Sequence, residues 1–329
     1  MTHTMPTLHP SILNLEGQLN QAVLASVSDP LLERFDIALR LKRDDLLHPI
    51  ISGNKWRKLK YLLDHALNLG CRRVVSMGGP YSNHLHALAF AGRELGIETV
   101  GLIRGEPPER PGPTLRDLDA WGMPLHFVPR ADYRELRRYK AWNSAPATIY
   151  GGYWVPEGGA NPLAMQGVAE IVREIDDIPY DAIAVACGTG TTLAGVAAAL
   201  PQGKKVLGFS ALKNAGFLDG EVTALLTGAE RTRNWEIFLD YHFGGFAKVH
   251  PELLAFMARF EVAAGIPLDP VYTGKMLFGL YDMISHGYFK PGTRIVAIHT
   301  GGLQGRRGLL PCRLNYPREA ADRSKYLPD

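Results

Sequence analysis

Lys55 stands at the start of a helical pattern, where a lysine can act as a nucleophile. Small polar residues at positions 52–54 precede an amphipathic stretch that runs through Leu63. The positive end of a helix dipole, with Arg57 and Lys58 nearby, disfavours an ammonium group and favours the neutral amine that forms imines. Taken alone, the segment is equally typical of a basic amphipathic helix whose lysines are solvated.

A glycine- and threonine-rich turn follows the apolar run at residues 183–187 and precedes a helical pattern. Backbone N–H groups at such a helix start form an anion site, so the turn predicts a phosphate; a tight turn without a ligand is the alternative. A dinucleotide would need an acidic residue about 20 positions later, near residues 209–211, and none is there. A P-loop is excluded because no Gly-Lys-Ser/Thr follows. The turn consists of Gly188, Thr189, Gly190, Thr191 and Thr192.

The turn at residues 78–84 brings a hydroxyl, an amide and an imidazole to the start of another helical pattern. These groups belong to Ser82, Asn83 and His84, and together they could bind a carboxylate. Ordinary capping beside a surface histidine is the alternative. No set of histidines, cysteines or carboxylates has the spacing of metal ligands, so we predict no metal.

Both turns belong to a repeated order of apolar strand, glycine-rich turn and helix. Such βα units predict an α/β fold with mostly parallel sheets, whose ligands bind at the carboxyl ends of the strands. The 329 residues, 46% of them hydrophobic, are enough for about two domains. The Pro- and Arg-rich stretch at residues 105–118 is expected to be an exposed connection.

Composition argues against several classes of protein. The three cysteines are widely spaced and predict neither disulfides nor a zinc site, which favours a cytoplasmic protein. No signal peptide or membrane span is indicated. The net charge is only +3, with Lys and Arg scattered, so nucleic acid is not an expected partner. Small anionic substrates remain compatible with this charge.

Six motifs in series resemble the 1-aminocyclopropane-1-carboxylate deaminase and D-cysteine desulfhydrase family, within the tryptophan synthase β-like, fold type II enzymes that use pyridoxal 5'-phosphate (PLP). Six motifs in order are far more specific than any one of them. They cover most of the chain and read HPIISGNKWRKLKYL, GGPYSNHLHALAFAG, PEGGANPLAMQG, CGTGTTLAG, DPVYTGK and HTGGLQG.

The resemblance implies a role for each matching residue. Lys55 is the lysine that holds PLP and later moves the Cα proton of a small amino-acid substrate. Lys58 and residues 188–192 hold the phosphate, Asn83 bonds the phenolic oxygen, and Ser82 and His84 hold the substrate carboxylate. Tyr272 lines the substrate side, and Thr273 or Thr300 faces the pyridine nitrogen.

Thr273 also bears on the choice of reaction. The family's deaminases have glutamate at this position and its desulfhydrases have threonine, and a hydroxyl makes the ring a weaker electron sink. We therefore expect β-elimination of D-cysteine to pyruvate, ammonia and sulfide, with 1-aminocyclopropane-1-carboxylate deamination to 2-oxobutanoate as the alternative. Phe246 replaces a frequent family tyrosine, which keeps open a PLP-binding carrier or regulator without catalysis. Thr191 replaces a second glycine of the phosphate loop.

The resemblance further implies two domains, each a mostly parallel twisted sheet flanked by helices, with PLP in the cleft between them. The large PLP-binding domain would comprise residues 1–59 and 166–329, and a small α/β domain would be inserted at residues 60–165. The family also suggests a homodimer.

Overall fold

A computed structural model of the chain describes residues 7–226 and 233–308. Within them are ten strands in two sheets, both covered by helices. The strands are β1 (Val23–Val27), β2 (Ala38–Arg43), β3 (Arg73–Gly78), β4 (Glu98–Arg104), β5 (Leu125–Val128), β6 (Tyr153–Val155), β7 (Ala182–Cys187), β8 (Lys205–Ser210), β9 (Trp235–Phe238) and β10 (Arg294–Ile298).

The larger sheet has the order β1-β2-β10-β7-β8-β9. Only the edge pair β1 and β2 is antiparallel; every other pair is parallel. Its central strand β7 is buried along its whole length, as expected for a parallel strand covered on both faces. The predicted α/β class with mostly parallel sheets is confirmed for this half of the molecule.

The smaller sheet is wholly parallel and has the order β5-β4-β3-β6. All four of its strands lie between residues 73 and 155. Parallel neighbours need crossover connections, and helices supply most of them. The helices are α1 (Pro10–Glu16), α2 (Pro30–Arg34), α3 (Asn54–Asn68), α4 (Asn83–Leu95), α5 (Pro113–Ala120), α6 (Arg130–Leu136), α7 (Ala145–Tyr150), α8 (Pro162–Arg173), α9 (Thr191–Ala199), α10 (Phe217–Leu225), α11 (Pro251–Ala264) and α12 (Thr273–Ser285).

The stretch at residues 105–118 is not wholly an exposed connection, which corrects the expectation from its composition. Helix α5 begins at Pro113, a residue type favoured at the first position of a helix. Leu115 and Leu118 point into the core around α4. The apolar pair three residues apart was the missed signal. No helix in the described part of the chain is long and apolar enough to cross a membrane.

A buried ionic network anchors α3. Asp44 is fully buried and accepts hydrogen bonds from Lys42 Nζ at 2.9 Å and from Arg57 Nε at 3.2 Å. Both cations also bind Glu174, which follows α8. One turn further along α3, Lys60 Nζ lies 2.6 Å from Glu170 of α8. These contacts fix α3 against α8 and so hold the first turn of α3 in place.

Candidate active site

One cavity of about 300 Å³ collects most of the residues that the sequence singles out. It lies where the carboxyl ends of β3, β7 and β10 meet the first turn of α3, the expected place for ligands of parallel sheets. Two predicted residues, Thr191 and Thr273, are fully buried and do not line it. Those that do are Lys55, Lys58, Ser82, Asn83, His84, Gly188, Thr189, Gly190, Thr192, Tyr272 and Thr300.

Lys55 is the second residue of α3, and its amine is the first group in a short chain of side-chain hydrogen bonds. Its Nζ donates to Asn54 Oδ1 at 3.0 Å, and Asn54 Nδ2 donates to Thr192 Oγ1 at 2.9 Å. Burial lowers the pKa of Lys55 to about 8, partly offset by the negative charge of Asp269. The amine also lies 5.9 Å from the centre of the Tyr272 ring. Sequence reasoning missed Asn54, although its place beside Lys55 was a signal.

Gly53 sets the path of the chain into α3. Its φ of 65° and ψ of −152° belong to a region that only glycine adopts readily. Its N–H donates to the Asp44 carbonyl at 2.8 Å. A Cβ at this position would lie 2.0 Å from the carbonyl oxygen of Thr300, which is the second residue after β10 and lines the cavity. The backbones that carry Lys55 and Thr300 therefore touch directly.

Replacing Gly53 with alanine is expected to displace Lys55 and lower both activity and stability. The added methyl group meets backbone, which cannot move aside, and the conformation itself costs about 1–3 kcal/mol. Thermal unfolding and kcat/KM would measure both effects. Gly96→Ala is the control, since Gly96 also has a φ of 65° but nothing lies within 4 Å of its Cβ position. Equal effects of the two changes would contradict the close approach.

Lys58 and the turn at residues 188–190 form a site for an anion. Lys58 is 3% exposed, and no other described residue forms a hydrogen bond or ion pair with it. Burial and the neighbouring Lys55 hold its pKa well below the ordinary value. Gly190, with a φ of 75°, caps α9, so free N–H groups face this region. A buried, unpaired ammonium is costly, and a phosphate dianion is the group that this donor set fits.

Ser82 and His84, at the turn before α4, form different hydrogen bonds. Ser82 Oγ accepts from the N–H of Leu85 at 3.2 Å, which leaves its hydroxyl hydrogen for another acceptor. His84 Nε2 lies 2.9 Å from Ser76 Oγ, which itself donates to the Val155 carbonyl. This network assigns the imidazole proton to Nε2.

That assignment makes His84 Nδ1 a buried acceptor without a partner in the described part of the chain. Burial, with Lys55 and Lys58, lowers the pKa of His84 to about 3, so the ring stays neutral. A neutral ring that presents an acceptor cannot donate to a carboxylate. This arrangement favours Ser82 over His84 as the donor to a substrate carboxylate, and both roles stay predictions.

Asp269 is a cavity residue that the sequence reasoning did not single out, although it opens the DPVYTGK motif. Its carboxylate accepts the N–H groups of Val271, Tyr272 and Thr273 at 2.8–2.9 Å. The Thr273 hydroxyl adds a bond to Oδ2 at 2.7 Å. All of these bonds tie the carboxylate to the start of α12. Of the two predicted threonines, Thr273 faces Asp269 and Thr300 lines the cavity.

Three further contacts order parts of the cavity wall. Gln304 Nε2 donates to Asn83 Oδ1 at 2.7 Å and fixes the orientation of that amide. Phe246 packs edge-on to Tyr272 with ring centres 6.1 Å apart. Lys275 Nζ binds the carbonyls of residues 242 and 245 at 2.8 Å and so holds the loop before Phe246.

The family described as "Pyridoxal-phosphate dependent enzyme" matches residues 27–301, most of the chain. The chain belongs to this family. The cofactor predicted from the motifs is thereby confirmed as PLP, and the lysine, the buried cation and the helix N-terminus in one cavity fit that group. The resemblance to fold type II enzymes is confirmed as well, because solved structures of such enzymes share the fold of this chain.

Several relatives carry names that specify a reaction. The chain is 33% identical to a Pyrococcus horikoshii protein provisionally named 1-aminocyclopropane-1-carboxylate deaminase, over 91% of this chain and 96% of that protein. An Arabidopsis thaliana protein named bifunctional D-cysteine desulfhydrase and 1-aminocyclopropane-1-carboxylate deaminase is 32% identical, over 81% and 73%. A Klebsiella pneumoniae D-cysteine desulfhydrase is 31% identical, over 80% and 86%.

Among solved structures, one titled as an ACC deaminase homologue is similar with a TM-score of 0.72 and 28% identity. It covers 91% of this chain, and this chain covers 97% of it. A threonine deaminase isoform from Solanum lycopersicum is similar with a TM-score of 0.64 and 16% identity, which shows the shared fold alone.

Proposed function

We propose that this protein is a PLP-dependent lyase that removes the β substituent of a small amino acid, with D-cysteine as the leading substrate. Products would be pyruvate, ammonia and sulfide. The single observation that carries this choice is the environment of Asp269, the one carboxylate near Lys55 whose charge acts on its pKa. Four hydrogen bonds engage it, one of them from the Thr273 hydroxyl.

The cofactor site is proposed from the donors that surround the cavity. Lys58 and the N–H groups of residues 188–192 would hold the phosphate, and Asn83, oriented by Gln304, would donate to the phenolic oxygen. Lys55 would hold the cofactor covalently when no substrate is present. Bound PLP supplies an electron sink for the bond that breaks at the substrate Cα.

Substrate binding would rest on Ser82, Asn83 and Tyr272. Ser82 has a hydroxyl hydrogen to give and sits at the N-terminus of α4, where a carboxylate is favourable. Tyr272 closes the opposite side with its ring near the Lys55 amine. Burial raises the pKa of the Tyr272 hydroxyl, so this group stays a neutral donor at physiological pH.

Lys55 would then move the proton at Cα. Burial lowers the pKa of the Lys55 amine to about 8, so this amine would be a general base suited to that step when it is not joined to the cofactor. Departure of the β substituent follows proton loss. A carboxylate free to face the ring nitrogen would favour the cyclopropane reaction, but Asp269 is already engaged and Thr300 offers only a hydroxyl.

The reaction is tested with D-cysteine and 1-aminocyclopropane-1-carboxylate on the same holoenzyme. We expect sulfide and pyruvate from D-cysteine with a kcat/KM at least about tenfold above that for 2-oxobutanoate release, because the pyridine nitrogen has no available carboxylate partner. A reversed ratio would make the protein a cyclopropane carboxylate deaminase. Bound PLP with no product from any D- or L-amino acid would make it a carrier or regulator.

Attachment of the cofactor should depend on pH through Lys55. Only the neutral amine attacks, and with a pKa of about 8 its fraction rises roughly fifty-fold between pH 6 and pH 8. Stopped-flow absorbance of apoprotein mixed with PLP would measure the rate. Parallel reactions with a free alkylamine correct for titration of PLP itself. A rate that keeps rising steeply to pH 10 would mean a solvated lysine.

We also propose the domain division given by the resemblance, with residues 60–165 forming the small domain. The strands of the four-stranded sheet all fall inside that range, which supports the division. The family resemblance further supports a homodimer, and the three widely spaced cysteines support a cytoplasmic location. Sedimentation of the holoenzyme tests the homodimer, and limited proteolysis near residues 60 and 165 tests the domain division.

A further inference from the structure

Arg104 places a positive charge in the cavity that the proposed function does not use. It is the last residue of β4, the strand beside β3, so it reaches the same edge of the sheet as the turn before α4. Its Nη2 lies 3.6 Å from the position that a Cβ on Gly79 would occupy. The guanidinium therefore lies beside the turn that carries Ser82, and Arg104 and Ser82 both line the cavity.

The aromatic ring of Tyr133 holds this guanidinium. The Arg104 Cζ atom lies 5.8 Å from the ring centre, and Tyr133 is 1% exposed. The phenol donates to Glu157 Oε1 at 2.7 Å, which fixes the ring. An arginine stacked on a fixed ring keeps its N–H groups in a defined plane, ready for a planar or tetrahedral anion.

Arg137, a neighbour of Arg104, has a carboxylate as its counter-ion, whereas Arg104 has none among the described residues. The Arg137 Cζ atom lies 5.6 Å from the centre of the same Tyr133 ring, and Arg137 Nε pairs with Glu157 Oε2 at 2.6 Å. No carboxylate among the described residues lies within ion-pair distance of Arg104, and it forms no hydrogen bond with them. The cavity thus contains one compensated and one uncompensated guanidinium around the same tyrosine.

The other anions expected in the cavity already have partners. The phosphate matches Lys58 and the N-terminus of α9, and the substrate α-carboxylate matches Ser82 and the N-terminus of α4. We propose that Arg104 recognises a second negative charge, on the β substituent of the amino-acid substrate. This inference rests on the proposed elimination and narrows its substrates to those whose β substituent carries a negative charge when bound, which for D-cysteine is the thiolate form.

The step balances without another reactant. The Cα–H bond breaks and its proton passes to the Lys55 amine. The bond from Cβ to the leaving group breaks, and its electron pair departs with the leaving group while Cα and Cβ become doubly bonded. Water then hydrolyses the released enamine to 2-oxo acid and ammonia. Arg104 would pair with the negative charge that the β substituent already carries before its bond to Cβ breaks.

Serine O-sulfate and 3-chloroalanine test the inference, because both undergo β-elimination to pyruvate and only the first carries a charged β substituent. In Arg104→Gln, kcat/KM for serine O-sulfate should fall about 30-fold or more, the worth of a charge-assisted pair, while 3-chloroalanine changes less than about threefold. Arg137→Gln, the matched control, should leave the ratio between the two substrates unchanged. Equal losses for both substrates would assign Arg104 to the α-carboxylate and overturn the proposal.

A binding measurement tests the same charge without any turnover. Calorimetry on the holoenzyme should show succinate binding at least about tenfold tighter than propionate, since only succinate offers a second carboxylate. The difference should vanish in Arg104→Gln and persist in Arg137→Gln. Equal affinities in the unaltered protein would overturn the inference. Tight succinate binding in a protein that eliminates nothing would instead leave Arg104 as an anion site and reject the proposed reaction.

Discussion

Lys55→Ala is expected to lower kcat/KM for D-cysteine by more than about 1,000-fold and to abolish the absorbance of lysine-bound PLP. In the proposed mechanism, this one amine provides both the covalent link to the cofactor and the base for the Cα proton. The measurements are sulfide release and a spectrum from 300 to 500 nm. Borohydride reduction of the unaltered protein, followed by peptide mapping, should locate the cofactor on the peptide that contains Lys55.

Lys205→Ala is the control for this change. Lys205 is exposed at the start of β8, away from the cavity residues, and its loss should leave the spectrum and the rate unchanged. Added ethylamine should restore part of the activity of Lys55→Ala, because a small amine can occupy the vacated space. Full activity in Lys55→Ala would reject the mechanism proposed for this protein.

Asp44→Asn is expected to cost about 3 kcal/mol of unfolding free energy. Asp44 is fully buried and balances Lys42 and Arg57, so losing its charge leaves excess positive charge where water cannot solvate it. The Asp44 carbonyl still receives the N–H of Gly53, so the backbone path is retained. Urea unfolding of the apoprotein, followed by circular dichroism, measures the loss.

Asp181→Asn provides a matched comparison. Asp181 also pairs with an arginine through two oxygens, but both side chains of the pair with Arg294 are about 40% exposed. Solvent screens such a pair, so the change should have a much smaller effect. Similar losses of unfolding free energy in the two variants would show that the burial of Asp44 does not increase the cost of removing its charge.

The sequence predicted the parts of the site that are local in the chain. Residues 188–192 and the start of α3 follow from strand, turn and helix signals within ten residues of each other. The residues that contact them from distant parts of the chain could not be predicted from such local signals. Asn54 bonds Thr192 across 138 positions, and Gln304 bonds Asn83 across 221, so no sequence period joins them.

Side-chain roles were harder to predict than positions. His84 was correctly placed in the cavity, but its hydrogen-bonding role depends on Ser76, whose hydroxyl is in turn committed to Val155. Thr273 belongs to a cavity motif, yet its hydroxyl turns to Asp269. Such choices depend on which partner is already satisfied, and only the folded arrangement determines that.

The ion pairs that fix α3 have a consequence for the order in which a chain emerging from the ribosome can assemble. Arg57 and Lys60 are synthesised more than a hundred residues before Glu174 and Glu170. Until those carboxylates emerge, Arg57 has only Asp44 and Lys60 has only Glu16 as a carboxylate partner, so burying the polar side of α3 leaves the cations incompletely compensated. The strands of the smaller sheet are complete by residue 155. That sheet is therefore expected to form first during translation, with the lysine-bearing helix locked into place only after α8 appears.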